Sequence, residues 1–367
     1  MASDHEVIIG ESRLRAEIER AQVDRWSGEQ AGAWHRSRGW LIGCNFIPST
    51  ATNQLEMWQA STFDLQTINR ELGWAAGLGF NAIRVFLHDL VWIDDRTEFI
   101  DRMMRFLDVA WAHDLSTMFV FFDDCWRPDP QLGTQPAPVP GRHNSGWAQS
   151  PGATAKADPA EWARLEEYVR GVIGRFRDDA RVLAWDIYNE PGNTGYGERS
   201  LPLLEAAFRW ARAARPVQPL TSAPWTEWES RGLWATVPSV REFQLAASDL
   251  VTFHSYARPE VVERVISELE DCERPILCTE YLARPLGSRF ETLLPLFRRR
   301  HVGCFNWGFV AGRTQTSLPW VREPALHQDV WFSDILSADG SPADPAEIAL
   351  IRSYAARERG GTDGSPL

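Results

Sequence analysis

The chain has 367 residues, 44% of them apolar, and a formal net charge of −12. That length suits one large domain or two ordinary ones. The absence of any basic block argues against a nucleic-acid partner, and no stretch is long and apolar enough to span a bilayer. The start, Met1-Ala2-Ser3-Asp4-His5-Glu6, lacks the basic-then-apolar pattern of a secretory leader. The expectation is a soluble, cytoplasmic protein with no membrane partner. The five cysteines, at 44, 125, 272, 278 and 304, are odd in number and form no CxxC pair, so a disulfide framework is not expected. Cys44, Cys278 and Cys304 sit in apolar runs, where buried, reduced thiols are the rule.

Residues 1–35 carry helix-prone runs and read as a helical extension. Strand-like runs follow at 39–45, 81–87, 116–122, 181–187, 218–223, 250–254, 275–279 and 302–307. Helix-period segments occupy 65–78, 98–113, 160–177, 201–214, 240–247, 260–271, 289–300 and 346–357. Pro219 weakens the fifth strand. Strict alternation of the two periods marks a parallel α/β architecture. It predicts a (β/α)8 TIM barrel, one domain over residues 36–358, with the extension packed outside its lower end. A Gly/Ser-rich tail at 359–367 is expected to fray. Two connections are long, 124–159 after the third strand and 308–344 after the eighth. Both leave the carboxyl end of a strand, where barrel active sites lie.

Tryptophan is the compositional outlier, with 18 residues. Core filling accounts for some of them. Trp126, Trp147, Trp225, Trp228, Trp320 and Trp331, however, lie in polar or turn-rich surroundings. Indoles offer flat apolar faces that stack on sugar rings, so carbohydrate is the expected partner.

The fourth strand-like run ends as Trp185-Asp186-Ile187-Tyr188-Asn189-Glu190-Pro191, and the seventh, Pro275-Ile276-Leu277-Cys278-Thr279, delivers Glu280. Two glutamates at the carboxyl ends of two barrel strands emerge at one mouth. Retaining sugar hydrolysis needs such a pair, one as proton donor and one as nucleophile. Arg84 interrupts the apolar second strand and requires an anion, either in a structural ion pair or at Glu280. The Asn189 amide is placed to bond a sugar hydroxyl beside the reacting carbon. His254 and Tyr256, two apart, share a strand face. The Tyr256 phenol can bond Glu280, and His254 can support a sugar hydroxyl or Glu190. Trp307 ends the eighth strand, where its face can floor a pocket.

These residues resemble the glycoside hydrolases of clan A, and family 5, the cellulase-like group, in particular. Gly79-Phe80-Asn81-Ala82-Ile83-Arg84 resembles the family's second-strand signature, the run ending Asn189-Glu190-Pro191 its acid/base motif, and Thr279-Glu280 its nucleophile strand. The likeness spans roughly residues 36–357. It implies Glu190 as acid/base, Glu280 as nucleophile and Tyr256 as its hydrogen-bonding neighbour. The third strand departs from the pattern. Where the family commonly has histidine, this chain reads Phe122-Asp123-Asp124-Cys125-Trp126. Asp123, Asp124, Trp126 and His88 are therefore candidate sugar contacts. No compact His-rich spacing accompanies them, so neither a metal nor another cofactor is expected.

The expected chemistry is double displacement on β-linked glycosides or short oligosaccharides, with exo action. An endo-acting glucanase, mannanase or xylanase is the alternative. A non-catalytic sugar-binding barrel and a metal-dependent barrel hydrolase are the rivals from other classes.

Overall fold

The computed structural model describes residues 4–226, 233–320 and 330–359. Two helices come first, α1 (Asp4–Val23) and α2 (Gly28–Arg38), and then strand β1 (Ile42–Asn45). Helices α3 (Gln54–Trp58) and α4 (Leu65–Leu78) lead to β2 (Ala82–Phe86), and α5 (Asp89–Ala112) to β3 (Ser116–Asp123). Next are α6 (Ala153–Ala157), α7 (Trp162–Phe176), β4 (Val182–Asn189), α8 (Leu201–Ala213) and β5 (Leu220–Thr221). The chain continues through α9 (Pro238–Ala247), β6 (Val251–His254), α10 (Pro259–Glu270), β7 (Ile276–Glu280), α11 (Phe290–Arg299), β8 (Gly303–Asn306) and α12 (Pro345–Arg359). The strands form one sheet in the order β5-β4-β3-β2-β1-β8-β7-β6, every pair parallel. This is the expected (β/α)8 barrel.

Local chemistry sets the helix limits. Asp64 caps α4 by accepting from the Thr67 N–H, while Ile68, Leu72, Ala75 and Leu78 form its buried stripe. Gly79, at φ 89°, ends it in the left-handed conformation that glycine adopts without strain. Helix α5 starts nine residues before its predicted beginning at 98, because His88 caps it at Leu90. Asp95 is non-helical and breaks it into two pieces, which hides the first turns from a periodicity reading.

The barrel is nearly closed, with its seam between β5 and β6. Pro219 and Pro224 flank β5 and supply no N–H, so the strand is only two residues long. Side chains and loops bridge the gap instead. Thr221 Oγ1 donates to the Leu250 carbonyl at 2.9 Å and lies 2.7 Å from Thr252 Oγ1. Above it, Trp225 pairs with His254 in an isolated parallel bridge.

Leu41, Ala82, Met118, Ala184, Leu250, Leu277 and Phe305 fill the barrel's amino end around Ala31 of α2. Trp26 and Trp34 pack beneath them. Thus α2 plugs the lower end, while α1 lies on the flank against α8 and α9. The extension therefore divides between two places, where the sequence predicted only the lower end. Among the described residues no helix is long and apolar enough to cross a membrane.

Replacing Thr221 by valine keeps the side-chain shape and removes the hydroxyl bonds across the seam. Chemical denaturation is expected to show a loss of about 1–3 kcal/mol, the cost of leaving a buried carbonyl unpaired.

Candidate active site

Arg84 points into the barrel from the middle of β2 and is completely buried. A guanidinium carries five N–H donors, and each finds an acceptor here. Nε and Nη2 donate to Asp186 Oδ2 at 3.0 and 2.8 Å. Nη1 donates to Asn45 Oδ1 and Glu280 Oε1, both at 2.8 Å. Nη2 also donates to Asn189 Oδ1 at 2.6 Å. Both readings of Arg84 are therefore present at once, an ion pair within the barrel wall and a cation on Glu280.

Glu280 ends β7 and Glu190 follows β4. One ligand atom from each of Glu190, His254 and Glu280 lies within 4.8 Å of the others. The Tyr256 hydroxyl donates to Glu280 Oε2 at 2.6 Å. His254 Nδ1 lies 2.8 Å from Glu190 Oε1 and 3.7 Å from Glu280 Oε2. Of the two roles open to His254, the one beside Glu190 is seen. Burial pushes the His254 imidazole down to about 4, which makes it neutral at neutral pH. Burial raises both carboxyls. At Glu280, Arg84 and Tyr256 work against that rise, and at Glu190 Cys125 and Asn193 do so. Among the described residues this trio is the set with ion-binding spacing, but the Arg84 cation already occupies one oxygen of Glu280.

Glu190 has φ 45°, a left-handed conformation that is strained for a non-glycine residue. The turn after it holds it there. Asn193 N–H donates to the Glu190 carbonyl at 3.0 Å, and the Asn193 amide donates to Oε2. Gly192 N–H donates to Asp124 Oδ2 at 2.7 Å.

The third-strand carboxylates depart from expectation. Met118 and Val120 face inward, and strict alternation would bring Phe122 and Asp124 in after them. Instead Phe121 and Phe122 both face the helix layer, against Tyr168, and Asp123 turns inward. Strand β4 makes the same phase change beside it, with Ile187 and Tyr188 outward and Asn189 inward. Asp124 therefore lies outside the pocket. It is completely buried, paired with Lys156, and accepts from the Tyr188 hydroxyl at 2.7 Å and from Ser200. It anchors the Glu190 turn from the helix side.

Asp123 is also withdrawn. Oδ1 accepts from Asn189 Nδ2 and the Cys125 N–H, both at 2.9 Å, and Oδ2 from Trp147 Nε1 at 2.6 Å. His88 caps α5 and is fully buried, its Nδ1 accepting from the Leu90 N–H at 3.2 Å. Asn189 is 3% exposed, and its oxygen is committed to Arg84. One amide hydrogen goes to Asp123, while the other meets only Cys125 Sγ at 3.5 Å. Cys125 was not among the predicted site residues. Its Sγ lies 3.3 Å from Glu190 Oε2, and it follows a strand end, the one signal that could have marked it.

Trp307, Trp147 and Phe86 meet edge to face, with centroids 5.0 to 6.0 Å apart. Tyr256 stands 4.7 Å from Trp320, which packs on Phe332 and His143, and His143 stacks on Trp126. Trp126, Trp225, Trp320 and Trp331 are half-buried, Trp147 is buried, and Trp228 falls outside the described residues. The two long loops bind each other. Asn144 N–H donates to the Thr314 carbonyl at 2.8 Å, His143 Nδ1 lies 2.6 Å from the Leu318 carbonyl, and Gln315 Nε2 donates to the Val139 and Arg142 carbonyls.

No family model matches the chain, and no curated protein matches it. Solved structures do. GH5_18 from Streptomyces cattleya, in complex with GlcNAc, is 15% identical, with a TM-score of 0.60 over 90% of this chain and 82% of that one. The endo-1,4-beta-mannanase from Rhizomucor miehei is 13% identical, with a TM-score of 0.58 over 88% and 96%. The exo-beta-1,4-mannosidase Op5Man5 from Opitutaceae bacterium strain TAV5 is 18% identical, with a TM-score of 0.58 over 87% of this chain and 59% of that one. At these identities the likeness is one of fold, and the chain shares the barrel of all three.

Proposed function

We propose that the chain is a retaining β-glycoside hydrolase similar to family 5 of clan A. The observation that carries this reading is the approach of Glu190 and Glu280, whose facing oxygens lie within 4.8 Å. Retaining enzymes hold their carboxyls about 5–5.5 Å apart, whereas inverting ones leave room for a water at about 6.5–9.5 Å. Glu280 is the nucleophile because Arg84 and Tyr256 stabilise its anion. Glu190 is the acid/base. The pair shares one proton over a range of pH, and that proton belongs on the carboxyl without a guanidinium.

In the first step Glu280 attacks the anomeric carbon and Glu190 protonates the departing oxygen. In the second, Glu190 takes a proton from water, which displaces Glu280 and restores the β configuration. The Asn189 hydrogen that meets only sulfur is available to the neighbouring sugar hydroxyl. The joined loops after β3 and β8 support exo action, since they bring Trp126, His143 and Trp320 together beside Tyr256. The mannan-directed names among the neighbours place β-mannosides first among substrates to screen.

Azide separates the two roles. Glu280→Ala with azide is expected to yield an α-glycosyl azide from an activated β-glycoside, and Glu190→Ala a β-glycosyl azide. Without azide, Glu190→Gln and Glu280→Gln should each lose about a thousandfold in activity on unactivated substrate. Full activity in either variant would sink the proposal, and loss of wild-type activity to a chelator would favour metal-dependent hydrolysis. On reducing-end-labelled oligosaccharides, release of single residues or disaccharides is expected, whereas internal cuts would indicate endo action.

The pH profile follows from Glu190. A donor to its carboxylate favours the charged form, and Cys125 is such a donor. Cys125→Ala removes it, so the Glu190 pKa rises and the alkaline limb of kcat moves to higher pH. Cys125→Ser keeps a donor and should stay near wild type.

A further inference from the structure

We infer that Asp123 is a positioning residue that fixes Trp147 and, through it, the tilt of the Trp307 face toward a bound sugar. The effect on substrate rests on the glycosidase reading, but the geometry does not. Trp307 is the more exposed of the two indoles, 8% against 2% for Trp147. Its ring is not packed solidly. A slot of about 20 Å³, room for about one water, runs beside it between Asn45, Phe86, Trp147 and Thr314. Phe86 and Trp147 meet the ring edge to face, at 6.0 and 5.4 Å, in a cluster that also holds Val120.

Phe86 is fixed by its strand, with Arg84 over its face at 4.8 Å. Trp147 belongs to the long loop after β3, and its indole N–H is tied down by Asp123. The other oxygen of Asp123 gathers Asn189 and the Cys125 backbone. One carboxylate thus joins the aromatic floor to the Asn189–Glu190 segment. Burial pushes Asp123 up to about 6 while its three donors restrain the rise, so above that pH it accepts on both sides. A carboxylate suits this place for a simple reason. All three partners donate, and an amide has only one accepting end.

Asp123→Asn therefore faces an N–H₂ either toward Trp147 or toward Asn189 and Cys125. Two readouts test the inference. In ¹⁵N-indole spectra, the Trp147 resonance is assigned by its loss in Trp147→Phe. It should move upfield and exchange faster in Asp123→Asn. In kinetics on the best β-glycoside, Asp123→Asn and Trp147→Phe should each raise KM about tenfold, the factor that a hydrogen bond to a charged group carries, with a smaller fall in kcat. The double variant should lose less than the product of the single effects. Should Asp123→Asn not fold, Trp147→Phe still reads the bond from its other end, since it keeps an aromatic ring and removes the N–H donor together with the second ring of the indole. An unmoved indole resonance, strictly multiplicative effects, or an unchanged KM in Trp147→Phe would overturn the inference. A shifted resonance in a protein that turns over no β-glycoside would uphold the positioning and reject the glycosidase reading instead.

Discussion

Everything at the mouth of this barrel is arranged around one buried cation. Arg84 cannot give up its charge and has no access to water. The desolvation penalty of such an ion is several kcal/mol, and removing a single partner leaves an uncompensated charge worth about 3–5 kcal/mol. Two anions and two amide oxygens, from β1, β4 and β7, are therefore obligatory. The same bonds that make the cation tolerable bring together the strands that carry Glu190 and Glu280. Stability and site geometry here share one set of contacts.

Around that centre the structure bends the regular strand pattern. β3 and β4 each spend two consecutive residues on the outer face before Asp123 and Asn189 turn in. The paired change keeps the two strands in register, Asp123 opposite Asn189. It also sends Asp124 to the helix side, where Lys156, Tyr188 and Ser200 receive it. The two adjacent carboxylates thus acquire different work. Asp123 serves the pocket floor, and Asp124 braces the turn that keeps Glu190 in its left-handed conformation.

Much of this was legible in the sequence, for identifiable reasons. The apolar runs around Val85, Phe119 and Ile187 have no reading except buried parallel strands, and helix period resumes between them. The Arg84–Glu280 and Tyr256–Glu280 contacts were legible because a buried cation demands an anion and because residues two apart share a face. The third strand end was not. Period-two reasoning cannot anticipate a phase change, so Asp123 and Asp124 stood as equals and Cys125 went unnoticed beside them. The capping role of His88 was not legible either, because a strand-end histidine and a helix-capping one look alike in sequence. The seam at β5 was half-legible. Pro219 announced a weak strand, but the closure by Thr221 depends on a partner thirty-one residues away.

The proton on the carboxyl pair is where these threads meet. Glu190 and Glu280 stand too close for both to ionise easily in a buried site. Position alone does not decide which one yields, since burial raises both. The surroundings decide it. Glu280 faces a permanent cation and a phenol, and neither can take up its proton at neutral pH. Glu190 faces a thiol, an amide and a neutral imidazole, which tolerate either protonation state of their neighbour. A group that must be acid in one half of a cycle and base in the other needs neighbours of that second kind. A group that must remain an anion until it bonds to carbon needs the first kind. On the glycosidase reading we propose, the division of labour is set by the strand each glutamate ends, because Arg84 reaches the carboxylate on β7 and not the one after β4.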